Sequence, residues 1–245
     1  MKINLLARHC NFSANSANKK NRPEWFDKEK IFQSLMNSIE DDERVNVTIL
    51  FDGDVSTHFL KNEKRCKIVE KKGGNDGQSF LNLLEYTKAQ NYSDGDIIYF
   101  VEDDYFHRAG WQDVLIDGFE HLSCDYFTLY DHNDKYTYTA YETLQSSIYP
   151  TKYCHWRTCP STTNTYAMLA STFRKHYQHH VDYCDLSRGY TRDHDKFLNL
   201  WKIGSNLVSS IPGYSTHCEN EYMSPVVDWA LKFKNLTYDY DMSNR

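Results

Sequence analysis

The stretch Asp96-Ile-Ile-Tyr-Phe-Val-Glu-Asp-Asp-Tyr105 constrains the chain more than any other. Ile97 to Val101 is a short unbroken run of β-branched and aromatic residues, bounded by Asp94-Gly95-Asp96 on one side and Glu102-Asp103-Asp104 on the other. Such a run fits a central strand covered on both faces better than it fits a helix. Its C-terminal end, where open α/β sheets place ligand chemistry, then carries three carboxylates. Gathering three acids costs self-repulsion, which a divalent cation relieves, and hard oxygen donors suit Mg²⁺ or Mn²⁺ held jointly with substrate phosphates. A solvated acidic turn after a strand is the ordinary alternative.

The rest of the chain reads as support for this strand. With 245 residues, one large α/β domain is the simplest organisation, and a full core can be buried. Ile3 to Ala7 reads as a first strand ending at Arg8-His9-Cys10, followed by a polar loop over 11–22. Pro23 is expected to open a helix with Phe26, Ile31, Leu35 and Ile39 inward. Val45 to Phe51 reads as a second strand punctuated by Asp52-Gly53-Asp54, Val55 to Leu60 as a short helix, and Cys66 to Val69 as a third strand. Gly73-Gly74-Asn75-Asp76-Gly77 turns into a helix over 78–89, and beyond the opening strand come a helix over 111–121 and a strand over 125–130. Strands alternating with helices at this spacing predict βαβ units and a mostly parallel central sheet flanked by helices. From residue 131 the polar, aromatic, Thr-rich segments 134–148 and 151–170 predict a smaller antiparallel addition, then helices over 171–184 and 191–203 and one near Val226 to Phe233. Residues 1–245 are expected to form one domain.

Composition narrows the function classes. A net charge of −6 without a dense basic patch argues against a nucleic-acid partner. The lysines at 19, 20, 28 and 30 and at 61, 64, 71 and 72 read as solvated faces. Seven cysteines at irregular spacing are no disulfide framework. Asn11, Asn46, Asn91 and Asn235 open glycan-acceptor patterns, which matter only in a secreted chain. The N-terminal apolar run is too short for a signal peptide, and no run approaches a transmembrane segment, so a soluble, cytoplasmic protein is expected.

In this order, the strand ending in Asp52, the Gly-Asn-Asp-Gly turn and the Glu102-Asp103-Asp104 strand end resemble the nucleotide-sugar half of glycosyltransferases with the GT-A fold. Arg192-Asp-His-Asp-Lys-Phe-Leu-Asn-Leu-Trp-Lys-Ile-Gly204 resembles the acidic helix start of the inverting family 2 type. The resemblance covers roughly residues 1–205. It departs at Arg192, where that pattern has Glu, and at Glu102, where the metal motif begins with Asp.

The resemblance implies a sugar moved from a nucleoside-diphosphate sugar, a UDP-sugar first, to a glycan or other hydroxyl acceptor with inversion. Residues 1–130 would then form the nucleotide-sugar half and 131–245 the acceptor half. Glu102, Asp103 and Asp104 would neutralise the leaving diphosphate, with Asp104 the ligand of Mn²⁺ or Mg²⁺ and Glu102 a ribose or water-mediated metal contact. His217, in the late Ile211-Pro-Gly-Tyr-Ser-Thr-His loop, would complete the metal site. Asp193 would be the general base, on a helix capped by Thr191, with Asp195 the alternative; acids in a first helical turn are also favoured by the dipole alone. Asp52 would bond the nucleotide base, Arg8 and His9 would lie near base or phosphate, and Asn75, Asp76 and Gly77 would face uracil or ribose. The ordinary readings are an exposed turn for Asp52, a bystander loop residue for His217 and a helix cap at Asn75-Asp76.

Three rivals stand beside this reading. A sugar-nucleotide nucleotidyltransferase would carry a Gly-rich phosphate loop after the first strand, where this chain has Arg8-His9-Cys10-Asn11. A carbohydrate-binding protein without transfer activity would use the Tyr and Trp residues for stacking. A zinc site would draw on Cys154, His155 and Cys159, or on His176, His179, His180 and Cys184, neither of which has paired ligand spacing. Specificity is expected in Tyr136 to Tyr149 and Tyr153 to Thr165.

Overall fold

Ile3 to His9 are all buried, which only a strand with neighbours on both edges and layers on both faces allows. That strand, β1 (Ile3–Cys10), anchors the computed structural model, which describes residues 1–11 and 21–235. Most of the polar loop expected over 11–22 lies outside the described residues.

The elements that follow are α1 (Lys28–Asn37), β2 (Val45–Asp52), β3 (Lys67–Lys71), α2 (Asp76–Lys88), β4 (Ile97–Glu102), β5 (Tyr105–His107), α3 (Trp111–His121), β6 (Tyr126–Thr128) and α4 (Asp134–Thr137). The second half adds β7 (Ile148–Pro150), β8 (His155–Thr158), β9 (Tyr166–Leu169), α5 (Ala170–Asp182), β10 (Cys184–Asp185), β11 (Tyr190–Thr191), α6 (Asp193–Lys202), β12 (Leu207–Ile211) and β13 (Ser215–His217), and a helix begins at Trp229. Nine strands form one sheet in the order β3-β2-β1-β4-β9-β6-β12-β8-β7. β8 and β9 run against the others in it, so the sheet is mixed and mostly parallel. β10 with β11 and β13 with β5 make two small antiparallel pairs.

Alternation along the strands divides the core into two layers. Ile3, Leu5, Ala7 and Tyr99 face Phe32 and Leu35 of α1 and Trp111 and Leu115 of α3. Leu6, Leu50, Ile98 and Phe100 face Phe80 and Leu84 of α2, Phe173 of α5 and Phe197 of α6.

Several expectations shift. Pro23 does not open α1; Asp27 caps it by accepting from the Lys30 amide, five residues from the helix start first expected. The short helix over 55–60 is two 3-10 turns, Val55–Thr57 and Phe59–Asn62. Within 134–148 two short helical turns, Asp134–Thr137 and Thr139–Tyr141, stand where strands were expected, and β7 begins only at Ile148; Lys135 is buried there, its ammonium 4.3 Å from the Tyr141 ring centre. The antiparallel strands expected over 151–170 are present as β8 and β9, and they join the main sheet.

Candidate active site

Parallel pairing brings the C-terminal ends of β1, β2 and β4 to one edge, with Arg8 beside Glu102 and Cys10 beside Asp52. The Arg8 guanidinium is buried and forked. One nitrogen donates to Glu102 Oε1 at 2.8 Å and the other to Asp76 Oδ1 at 2.8 Å. The second oxygen of Asp76 accepts from the backbone N–H and the hydroxyl of Thr191, at 2.8 and 2.9 Å. Asp76 therefore ties β1 to Thr191, two residues before α6, and the cap of α2 is Asn75, which accepts from the Gln78 amide at 2.9 Å. Thr191 does not cap α6; Arg192 occupies that position without a side-chain bond.

Each acid of the β4 end has its own cation. Glu102 is burdened by burial and by Asp104 and Asp76, which outweigh Arg8 and push its pKa up to about 7. Asp103 accepts from Lys28 Nζ at 2.7 Å, which corrects the reading of that lysine as part of a solvated face. Asp104 accepts from Arg22 Nη2 at 2.8 Å and from His217 Nε2 at 3.0 Å. Burial alone would raise the Asp104 pKa, but His217 and Arg22 hold it well below the usual carboxylate range. In return Asp104 overcomes the burial of His217 and raises its pKa above 6.5. The imidazole stacks on Tyr105, with centroids 5.1 Å apart, and Glu219 Oε1 lies 3.9 Å from its Nε2.

The other expected residues separate. Asp52 accepts from the Gly73 and Gly74 amides at 2.8 and 2.7 Å, so it shapes the turn leading into α2. His9 is buried among Phe32, Phe59 and His58, kept neutral by burial with its pKa pushed down to about 4. Its Nδ1 has no hydrogen-bond partner and lies 4.0 Å from Asp103. Asp193 sits in the first turn of α6, where burial raises its pKa against the opposing charge of Lys196. Asp195 is exposed, 3.9 Å from Arg192.

Among the described residues no group of three or more His, Cys, Asp or Glu side chains is arranged to hold a metal. What the fold assembles is one carboxylate and one imidazole, Asp104 and His217, in contact. Both donors are already engaged, Asp104 with Arg22 and with His217, so a cation held there would take the place of these contacts. The histidines of α5 are occupied otherwise: His176 and His180 bond the Tyr126 hydroxyl at 2.9 and 3.2 Å, and His180 also bonds Tyr166.

Arg22, Lys28, Glu219 and Lys196 were not singled out from the sequence. Their partners lie far away in the chain, and no spacing pattern marks them.

No protein-family model matches the chain, and no curated protein matches it by sequence. Solved structures do match by fold. The CMP:2-keto-3-deoxy-manno-octonic acid synthetase complexed with CTP aligns over 99% of this chain and 100% of its own, at 13% identity and a TM-score of 0.52. An active-site mutant of LgtC aligns over 96% and 95%, at 8% identity and a TM-score of 0.52; LgtC is called a galactosyltransferase in the description of another of its structures. The S. aureus TarS 1-349 structure aligns over 88% of this chain at 13% identity and a TM-score of 0.50, and the chain spans 60% of it. The fold is GT-A-like. Among the described residues no helix is long and apolar enough to cross a membrane.

Proposed function

We propose that the protein transfers a sugar from a nucleoside-diphosphate sugar, a UDP-sugar first, to a hydroxyl acceptor with inversion at the anomeric carbon. One observation carries the reading: in a GT-A-like fold, Asp104, just past the end of β4, meets His217 of β13, and the Arg8–Asp76–Thr191 chain ties that edge to the start of α6, which bears Asp193.

In this reading the turn held by Asp52 and the residues Asn75 and Asp76 line the base and ribose side. Arg22 and Lys28 bring positive charge to the diphosphate side. Asp104 and His217 would hold Mn²⁺ or Mg²⁺, whose charge offsets that of the departing diphosphate. Asp193 accepts the acceptor hydroxyl proton as the new C–O bond forms and the bond to the diphosphate breaks, its electron pair leaving on the phosphate oxygen. A carboxylate whose pKa is raised by burial is a better base than an exposed one. In this reading Thr191 and His217, from the second half of the sequence, also reach the donor side.

A second reading, nucleotidyl transfer, is favoured by the end-to-end match to the CTP-bound synthetase fold. It predicts pyrophosphate release from CTP and a sugar acid, where glycosyl transfer predicts UDP release from a UDP-sugar.

Thermal shift with UDP, GDP and CDP, each with and without Mn²⁺, tests the donor site. A native-state ligand at about a hundredfold excess over Kd adds ~2.7 kcal/mol of apparent stability. The expected outcome is a metal-dependent rise with one nucleotide that is lost in Asp104→Ala; no rise with any of them removes the reading.

A further inference from the structure

Tyr136 and Tyr138 are each 50% exposed, and half-buried Tyr222 meets Tyr138. Exposed aromatic rings are commonly loose, but these are fixed. The Tyr136 hydroxyl donates to Asp131 Oδ2 at 2.8 Å, whose other oxygen accepts from Arg157 at 2.7 Å, and the guanidinium lies over the Tyr136 ring at 4.8 Å. The Tyr138 and Tyr222 hydroxyls meet at 3.3 Å. The backbone of the Tyr222 loop is clamped from below, Tyr130 donating to the Tyr222 carbonyl and Asn133 to that of Glu221.

This shelf borders both halves of the chemistry. The Tyr222 ring lies 6.4 Å from His217 and nearly parallel to it, at 12°. On the other side Lys135 of α4 reaches Ser161 at 3.5 Å, and Ser161 bonds His194, the neighbour of Asp193, at 3.0 Å. His132 lies 5.7 Å from the Tyr222 ring.

We propose that Tyr136, Tyr138 and Tyr222 form the acceptor subsite and that the acceptor is a carbohydrate, its C–H face stacked on the rings; this rests on the glycosyl-transfer reading. Tyrosines held by their own hydroxyls supply a large, flat, amphipathic contact with little conformational entropy left to lose. Hydroxyl groups at the ring edges meet sugar hydroxyls, whereas a lipid acceptor would call for aliphatic lining.

Saturation-transfer NMR with the methyl glycosides of glucose, galactose, mannose and xylose, with and without UDP and Mn²⁺, tests this in the whole chain. At least one glycoside is expected to receive saturation on its ring C–H protons, with affinity falling about fivefold or more in Tyr138→Ala and Tyr222→Ala, the effect of losing a stacked ring. Tyr138→Phe, which keeps the ring but loses the hydroxyl that meets Tyr222, should bind more weakly than the wild type and more tightly than Tyr138→Ala. Binding of none of the glycosides, or unchanged binding in both alanine variants, overturns the shelf. The UDP-induced thermal shift in the same samples separates the two ideas. A shift with tyrosine-insensitive sugar binding removes the shelf alone; tyrosine-dependent sugar binding without any nucleotide shift removes the transfer reading and leaves a saccharide site.

Discussion

Lys196 is 1% exposed, and among the described residues no carboxylate bonds its ammonium. Its Nζ donates to Asn164 Oδ1 at 2.9 Å and to the Tyr166 hydroxyl at 3.3 Å, and it lies 4.8 Å from the Phe80 ring centre. Burial brings its pKa down to about 8, opposed by the charges of Asp193 and Glu102. A buried cation without a direct counterion is costly, and its field acts on the carboxylate one turn earlier in α6. Burial raises the Asp193 pKa and Lys196 is the first opposing influence. A general base works when ionised, so kcat/KM falls as pH falls through the Asp193 pKa. Lys196→Met removes the opposing charge and must raise that pKa further, moving the acid limb of the pH profile to higher pH. An acid limb at the wild-type position would show that Lys196 does not act on the base.

At the scale of elements, close approach is what glycine supplies. A Cβ on Gly118 of α3 would stand 2.9 Å from both the Phe127 and Trp156 rings, so the helix lies tight against β6 and β8. Gly118→Ala is expected to destabilise by about 1–3 kcal/mol in urea unfolding through overpacking, although alanine in a helix otherwise stabilises by roughly 1 kcal/mol. A neutral or stabilising result would mean the rings move aside freely. β1, β2, β4 and α2 were legible in the sequence because their apolar runs and the Gly-Asn-Asp-Gly turn state their own surroundings. β12 and β13 were not. Ser209, Ser210, Ser215 and Thr216 are buried there, so polar residues occupy positions where alternation would lead one to look for apolar ones. The Thr- and Tyr-rich 134–148 segment misled in the opposite sense, its β-favouring composition serving a helical turn and the ring shelf.

For the whole molecule, the strand-end acids were legible because a turn of three carboxylates after a buried strand is a local pattern. Their cations were not. Lys28 and Asp103 are 75 residues apart and Arg22 and Asp104 are 82 apart, and a lysine that reaches such a partner looks in sequence like one that faces water. The contact of His217 with Asp104 spans 113 residues and was anticipated only through the family resemblance. The sheet turns these distant pairs into one edge, where Arg8, Asp76 and Thr191 join the donor side to α6. The central claim is that this edge moves a sugar with Asp193 as the base. Its most direct test is UDP release from a panel of UDP-sugars, in the presence of Mn²⁺ and the glycoside acceptors, by the wild-type chain and Asp193→Asn. The account predicts release by the wild type from one donor, reduced by about 10²-fold or more in the variant while the UDP-induced thermal shift is kept. Equal release by both, or no release by the wild type from any donor, would contradict it.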